Sequence, residues 1–267
     1  MNPDLIYDVG LHKGEDSEFY LDKGFRVIAI EAVPRLCELT AARLRRYVES
    51  GQLIILNRAI AARKGPTSLF VSEKFTEWST TERSWAEWYQ KTDKGPFTEI
   101  TVPAVPFGEV LAEFGLPYYL KVDIEGADIL CLRALQQCAS RPRFVSIESG
   151  RTSWQDLSTE LSLFRSLGYS KFKLVQQLRV PAQRCPFPAR EGRFVEHQCK
   201  SGASGLFGRE LPGPWLSARQ ARAACLYIFW RRELLGEKGF LRNYRAGRSL
   251  LSRLGYTVGW YDTHASQ

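Results

Sequence analysis

The stretch from Leu5 to Glu31, LIYDVGLHKGEDSEFYLDKGFRVIAIE, limits what this chain can become more than any other. An apolar run through Leu5, Ile6, Tyr7 and Val9 stops at Gly10, and a polar loop then passes Gly14. An acidic segment opens a helix that ends near Gly24, and a second apolar run reaches Glu31. The pattern predicts strand, glycine loop, helix, strand. In an open α/β sheet such a unit gathers its ligand at the carboxyl ends of the strands, where loop amides and a helix N-terminus face one space. Asp8 ends the first strand and Glu31 the second. A carboxylate at the second position can accept from both hydroxyls of a ribose, so an adenosine-type ligand is expected.

The loop narrows the choice of ligand. After Gly10 come Leu11, His12 and Lys13 before Gly14, so the phosphate fingerprint G-x-G-x-x-G is absent. Glu15 and Asp16 open the helix and would repel a pyrophosphate placed on its dipole. A ligand bearing ammonium and sulfonium groups suits this loop better, and S-adenosylmethionine carries both together with a ribose. The candidate cofactor-binding residues in this unit are Asp8, Gly10, His12, Lys13, Gly14, Glu31 and Ala32. An ordinary βαβ unit with a glycine turn is the bland alternative.

Downstream, LIILNRAIA reads as a third strand, TSLFVSE as part of a hairpin, and TEITVPAVPF as a short strand. Between them a polar stretch carries Trp78, Trp85, Trp88 and Tyr89. These aromatics form either a lid or substrate wall over the cleft, or packing against a sheet edge. YYLKVDIEGADILCLRAL repeats the strand, turn and helix grammar of the opening unit. Its alternation sets Lys121, Asp123 and Glu125 on one side of a strand end. Charges at the carboxyl end of a central strand have few structural uses, so these are site candidates, and Glu148 closes the next strand at the same edge.

Several features of the sequence resemble the FkbM-type S-adenosylmethionine-dependent methyltransferases. They are YDVGLHKGED (family pattern roughly DVGANxG), VIAIEAVP, LNRAIAARKG with WSTTE behind it, and above all LKVDIEGADILCLRAL followed by FVSIES. The resemblance spans roughly Leu5 to Gly168, and His12 stands where the family usually has Asn. It implies a Rossmann-like, seven-stranded, mostly parallel α/β sheet with a reversed strand at one edge. It also implies S-adenosylmethionine as cofactor, and it places Asn57, Ala59 and Ile60 beside the adenine ring. Lys171 to Gln198 is the expected source of the last strands, although Pro181, Pro186 and Pro188 interrupt it.

Beyond Gln198 the resemblance fades. KSGASGLFGRELPGPW reads as a linker, Ser217 with Gln220 as a capping box for a helix through Leu235, and Phe240 to Leu254 as a second amphipathic helix. From Arg219 to Arg253 there are nine basic and two acidic residues, which is +7 of the net +8 carried by the 267-residue chain. Such a helical pair reads as a solvated cap or as a surface for an anionic partner, with no DNA-binding motif beside it. The expected organisation is a methyltransferase domain over 1–198 and a basic helical C-terminal extension over 199–267 packed on it.

With 44% hydrophobic residues the chain can bury a sizeable core. No apolar run reaches the ~20 residues of a membrane span, and the chain enters a strand almost at once, so a cytoplasmic protein is expected. Cys37, Cys131, Cys138, Cys185, Cys199 and Cys225 show neither C-x-x-C pairs nor ligand spacing to histidine, so no metal site is indicated.

Methyl transfer to a hydroxyl requires a base within reach of the acceptor. His12 is the first candidate, because a nearby sulfonium would disfavour its protonated form; Asp123 and Glu125 follow as catalytic candidates. Asp123 also qualifies as a residue that orients the cofactor. Glu148, Trp78 and His264 are candidate substrate contacts, the last because Asp262 and His264 would point the same way in an extended tail. The expected activity is O-methylation of a small hydroxyl- or carboxyl-bearing acceptor such as a sugar or natural-product scaffold, anionic acceptors included. RNA methylation and a non-catalytic cofactor-binding interaction protein are the alternatives, and a homodimer is compatible with the sequence.

Overall fold

The computed structural model describes residues 1–91, 95–149, 154–235, 240, 244 and 259–267. The opening unit forms as expected: β1 (Asn2–Val9), α1 (Glu15–Asp22) and β2 (Arg26–Glu31), with β1 and β2 parallel and Asp8 beside Ala29. Pro34 starts α2 (Pro34–Arg43), and after Leu44 a short α3 (Arg45–Glu49) leads into β3 (Leu53–Asn57), which extends the parallel sheet beyond β2.

The run LIILNRAIA is not one strand. It breaks at Arg58, and β4 (Ala59–Ile60) leaves for a separate three-stranded sheet with β5 (Gly65–Ser72) and β6 (Phe97–Val105). β5 and β6 pair antiparallel over their whole length, with the tryptophan-rich excursion and its helix α4 (Arg83–Lys91) between them. The central sheet resumes through α5 (Phe107–Phe114), β7 (Pro117–Val122), α6 (Asp128–Leu135), β8 (Phe144–Glu148), α7 (Trp154–Ser166) and β9 (Lys171–Gln176).

The last strand comes from an unexpected place. β9 is the only strand taken from 171–198, and the chain end, β11 (Tyr261–Ser266), inserts antiparallel between β8 and β9. A two-residue β10 (Leu216–Ser217) edges β9 and is followed by α8 (Ala218–Leu235). Among the described residues the large sheet therefore has eight strands, in the order β10, β9, β11, β8, β7, β1, β2, β3. Without the two-residue edge it is the seven-stranded, mostly parallel sheet that was expected, but its reversed strand β11 is not at the edge: it lies one strand in, hydrogen-bonded to β8 on one side and β9 on the other. Residues 261–266 thus belong to the sheet and not to a helical extension.

Period-two alternation decides which side chain meets which layer. Leu5, Tyr7 and Val9 face Val122, Ile147 and the helices α5 to α8, while Ile6, Val27 and Tyr119 face α1 and α3. The segment read as a linker helps to build this second layer. Phe207 is buried with its ring stacked 4.8 Å from that of Tyr119, and buried Glu210 pairs with buried Lys23 at 2.9 Å. The capping box forms as expected: the Ser217 N–H donates to Gln220 Oε1 at 2.9 Å, and the Gln220 N–H to Ser217 Oγ at 3.4 Å. All six cysteines are free thiols. The second amphipathic helix expected from Phe240 lies outside the described residues, apart from positions 240 and 244. Among the described residues no helix is long and apolar enough to cross a membrane.

Candidate active site

A cleft opens at the carboxyl ends of β1, β2 and β7, where the opening unit predicts it. Gly10, His12, Glu31, Ala32, Ala59, Asp123 and Glu125 line it, together with Glu15, Asp16, Arg58 and Lys121. The small sheet and the excursion after β5 form the opposite wall, through Leu69, Thr76, Glu77, Ser79, Thr80 and Thr81.

Glu31 organises one end. Its carboxylate accepts the backbone N–H of His12 and of Val33, each at 2.8 Å. Burial raises its pKa, against the pull of those two donors. His12 links the two walls: its backbone is tied to Glu31 while its imidazole Nε2 lies 2.9 Å from Thr76 Oγ1. Glu15 stands 3.7 Å from Nδ1 and Glu77 3.9 Å from Nε2. Among the described residues His12 (φ 50°) and Glu125 (φ 48°) are the non-glycine residues in the left-handed region. Both line the cleft, where such strain is commonly held for function.

Beneath the cleft lies a buried charge cluster. The Lys121 ammonium donates to the Gly10 carbonyl at 2.8 Å, pairs with Asp8 at 3.0 Å and stands 3.8 Å from Asp16. Burial alone would lower its pKa, but Asp8, Asp123 and Asp16 together hold it above the ordinary lysine value. Asp8 also accepts from Ser17 Oγ at 2.7 Å, so it braces the loop from below and does not line the cleft. Lys13 is exposed and Gly14 starts α1 in a left-handed turn; neither lines the cleft.

Asp16 is pushed up to about 6, from an ordinary 3.8, chiefly by burial, with Asp8 adding to the rise and Lys121 and the Ser204 N–H opposing it. The folded chain therefore holds this proton more tightly than the unfolded one. The resulting stability is fully present below about pH 4 and is lost as pH rises through about 6. Asp16→Asn, which imitates the protonated form, is expected to become progressively more stable relative to wild type between pH 4 and pH 7. Urea melts at the two ends of that range measure the difference, and a pH-independent difference would contradict the assignment.

The turn after β7 brings together groups far apart in sequence. Carboxylate oxygens of Asp123, Glu125 and Glu148 lie within 4.8 Å of one another, an arrangement able to hold a divalent cation although no ligand spacing marks it in the sequence. Glu125 also accepts from the Tyr89 hydroxyl at 2.9 Å, and its backbone carbonyl from Thr80 Oγ1 at 2.7 Å. Trp78 stacks on Tyr89 with ring centroids 5.5 Å apart, while its neighbours Thr76 and Glu77 face the cleft. None of Trp78, Trp85, Trp88 and Tyr89 lines the cleft: the rings pack on one another, and the wall is made by the polar residues of the excursion.

His264 lies elsewhere. It is 1% exposed on β11, opposite Ser146 and Lys173, and is not part of the cleft lining. Burial, with Lys173 nearby, pushes its imidazole down to about 3, so it stays neutral at physiological pH. The extended tail and its two-residue periodicity are as expected, but the segment is interior. Arg58 and Thr76 are not singled out by the sequence, because nothing around them separates them from ordinary polar positions.

Residues 8–171 match the methyltransferase FkbM domain, more than half of the 267-residue chain. The chain belongs to this family. In this FkbM methyltransferase the matched segment contains every described residue of the cleft lining except Gly202. In a comparison with curated proteins, none matches the chain. Similar solved structures include a putative sarcosine dimethylglycine methyltransferase from Galdieria sulphuraria, at 10% identity, covering 100% of this chain and 78% of that one with a TM-score of 0.39. Another is precorrin-6y C5,15-methyltransferase from Geobacter metallireducens, at 10% identity, 66% and 68% coverage and a TM-score of 0.37. These likenesses are too distant to carry an argument about substrate.

Proposed function

We propose that this FkbM methyltransferase binds S-adenosylmethionine across the Glu31 end of the cleft and methylates an oxygen of a small hydroxyl-bearing acceptor. The observation that carries this reading is His12, which is tied to Glu31 through its N–H and reaches Thr76 of the facing wall through its imidazole. The cofactor supplies an electrophilic methyl group on a sulfonium. Acidic side chains outnumber Arg58 and Lys121 in the cleft lining, which favours a cationic cofactor. In this reading Glu31 accepts from the ribose hydroxyls, and Ala59 and Ile60 flank the adenine. The hydroxyls of Thr76 and Thr81 line the facing wall and offer donors and acceptors in the manner a sugar or other polyol requires. His12 takes the proton from the acceptor oxygen, with Glu15 or Glu77 stabilising the imidazolium that results; Asp123 and Glu125 orient the acceptor or the cofactor.

Two measurements test this reading. Glu31→Ala is expected to weaken S-adenosylhomocysteine binding by about 1.5–3 kcal/mol in calorimetric titration, the cost of losing a charge-assisted hydrogen-bond pair. His12→Gln is expected to lower turnover by about a hundredfold while leaving that affinity within a few-fold. Turnover unchanged in His12→Gln would remove His12 as the base and turn attention to Asp123→Asn. Cofactor binding with no methylated product across hydroxyl, carboxyl and RNA acceptors would leave a non-catalytic binding protein.

A further inference from the structure

The helix α8 is apolar on both sides. Ala221 and Cys225 are buried in the core cluster that also holds Phe172 of β9 and Leu161 of α7, and the Phe229 ring lies 6.4 Å from that of Trp154. The opposite side should be polar in a surface helix. Instead Leu226, Tyr227, Trp230 and Leu234, which fall on one stripe at spacings of three and four, are 39%, 66%, 56% and 45% exposed. Phe240 and Tyr244 are 56% and 54% exposed just beyond it. An outward apolar stripe of this size indicates a partner.

Charge identifies the kind of partner. Within α8 itself Arg219, Arg222, Arg231 and Arg232 stand against one acid, Glu233. Arg219 and Arg222 sit in the first turns of α8, where no acidic residue offsets the positive end of the helix dipole. A second copy of the same basic helix would meet like charge. Nucleic acid would satisfy the arginines, but Leu226 and Leu234 offer nothing to a phosphate or a base edge. An anionic lipid surface satisfies both halves: arginines at the headgroups, Trp230 and Tyr227 at the interface, and the leucines against the acyl boundary.

We propose that the outward face of α8 docks this protein on anionic membranes as an interfacial helix, without spanning them.

The test is co-sedimentation of the full chain with phosphatidylcholine vesicles, with and without phosphatidylglycerol. Wild type is expected to partition at least about tenfold more strongly onto the phosphatidylglycerol vesicles. The triple substitution Leu226→Gln, Trp230→Gln, Leu234→Gln is expected to reduce that partitioning about tenfold while leaving the melting temperature unchanged, because all three side chains face outward. Equal binding to both vesicles overturns the proposal. So does binding of the triple variant at wild-type strength, which would reduce the effect to charge alone. Tighter binding to single-stranded RNA than to vesicles, insensitive to the triple substitution, assigns the face to nucleic acid instead. A dimer in sedimentation velocity that the triple variant abolishes assigns it to a second copy.

Discussion

Gly10→Ala is expected to destabilise the protein by about 4 kcal/mol, combining strain at a left-handed position with overpacking. Gly10 has φ +95°, and a Cβ built on it would stand 1.8 Å from the backbone carbonyl oxygen of Asp123. That oxygen belongs to the turn whose N–H donates to the Val9 carbonyl at 2.8 Å, so neither side of the contact can retreat without opening the junction of β1 and β7. At this chain length the melting temperature should fall on the order of 10 °C. Gly24→Ala is the matched control. Gly24 has almost the same φ, +94°, but nothing lies within 4 Å of its would-be Cβ. Only the conformational cost of about 1 kcal/mol should appear there. Equal losses in the two variants would show that close approach at Gly10 is not what the loop requires. Because Gly10 also lines the cleft, its variant should lose S-adenosylhomocysteine affinity as well, whereas Gly24→Ala should keep it.

Lys121→Met should cost about 3–5 kcal/mol, the usual loss when one partner of a buried ionic cluster is removed and the others are left uncompensated. The side chain fits the apolar stem of the site, but the ammonium contacts to Gly10, Asp8 and Asp16 vanish together. Two carboxylates then remain buried without their cation. The double variant Lys121→Met, Asp8→Asn should recover a large part of the loss, since it removes the charge left behind. Urea melts of the wild type, both single variants and the double variant close the cycle. A double variant no more stable than Lys121→Met would mean that the hydrogen bond to the Gly10 carbonyl, and not charge balance, is the main contribution of Lys121.

Both experiments address contacts that join segments about a hundred residues apart, and this is where reading the sequence and seeing the fold part company. Strand, loop, helix and strand from Leu5 to Glu31 were legible because each step has a local cause. The alternation of Leu5, Tyr7 and Val9 marks a strand, Gly10 and Gly14 supply left-handed turns, and Gly24 follows the helix end. The carboxyl-end placement of Glu31, Asp123 and Glu125 follows from the same local grammar repeated once. His12 was noticeable as an unusual residue in the loop, but its contact with Thr76 was not, because the excursion carrying Thr76 has no periodic signal to aim it.

The C-terminal strand was illegible for a different reason. Tyr261–Ser266 turns Asp262, His264 and Ser266 into the interior, so its pattern is that of a polar tail unless Glu148, Lys173 and Ser146 are already opposite it. A polar strand reads as buried only once its partners are known. The sequence alone thus determined the parallel βαβ core, the cleft at its strand ends and the concentration of charge near the C-terminus, because periodicity, turn chemistry and charge are properties of neighbouring residues. Only the tertiary structure decided that the chain end completes the sheet, that Lys121 sits between Asp8 and Asp16, and that three distant carboxylates converge. Each of these depends on which strands pair, and pairing is a property of the whole chain.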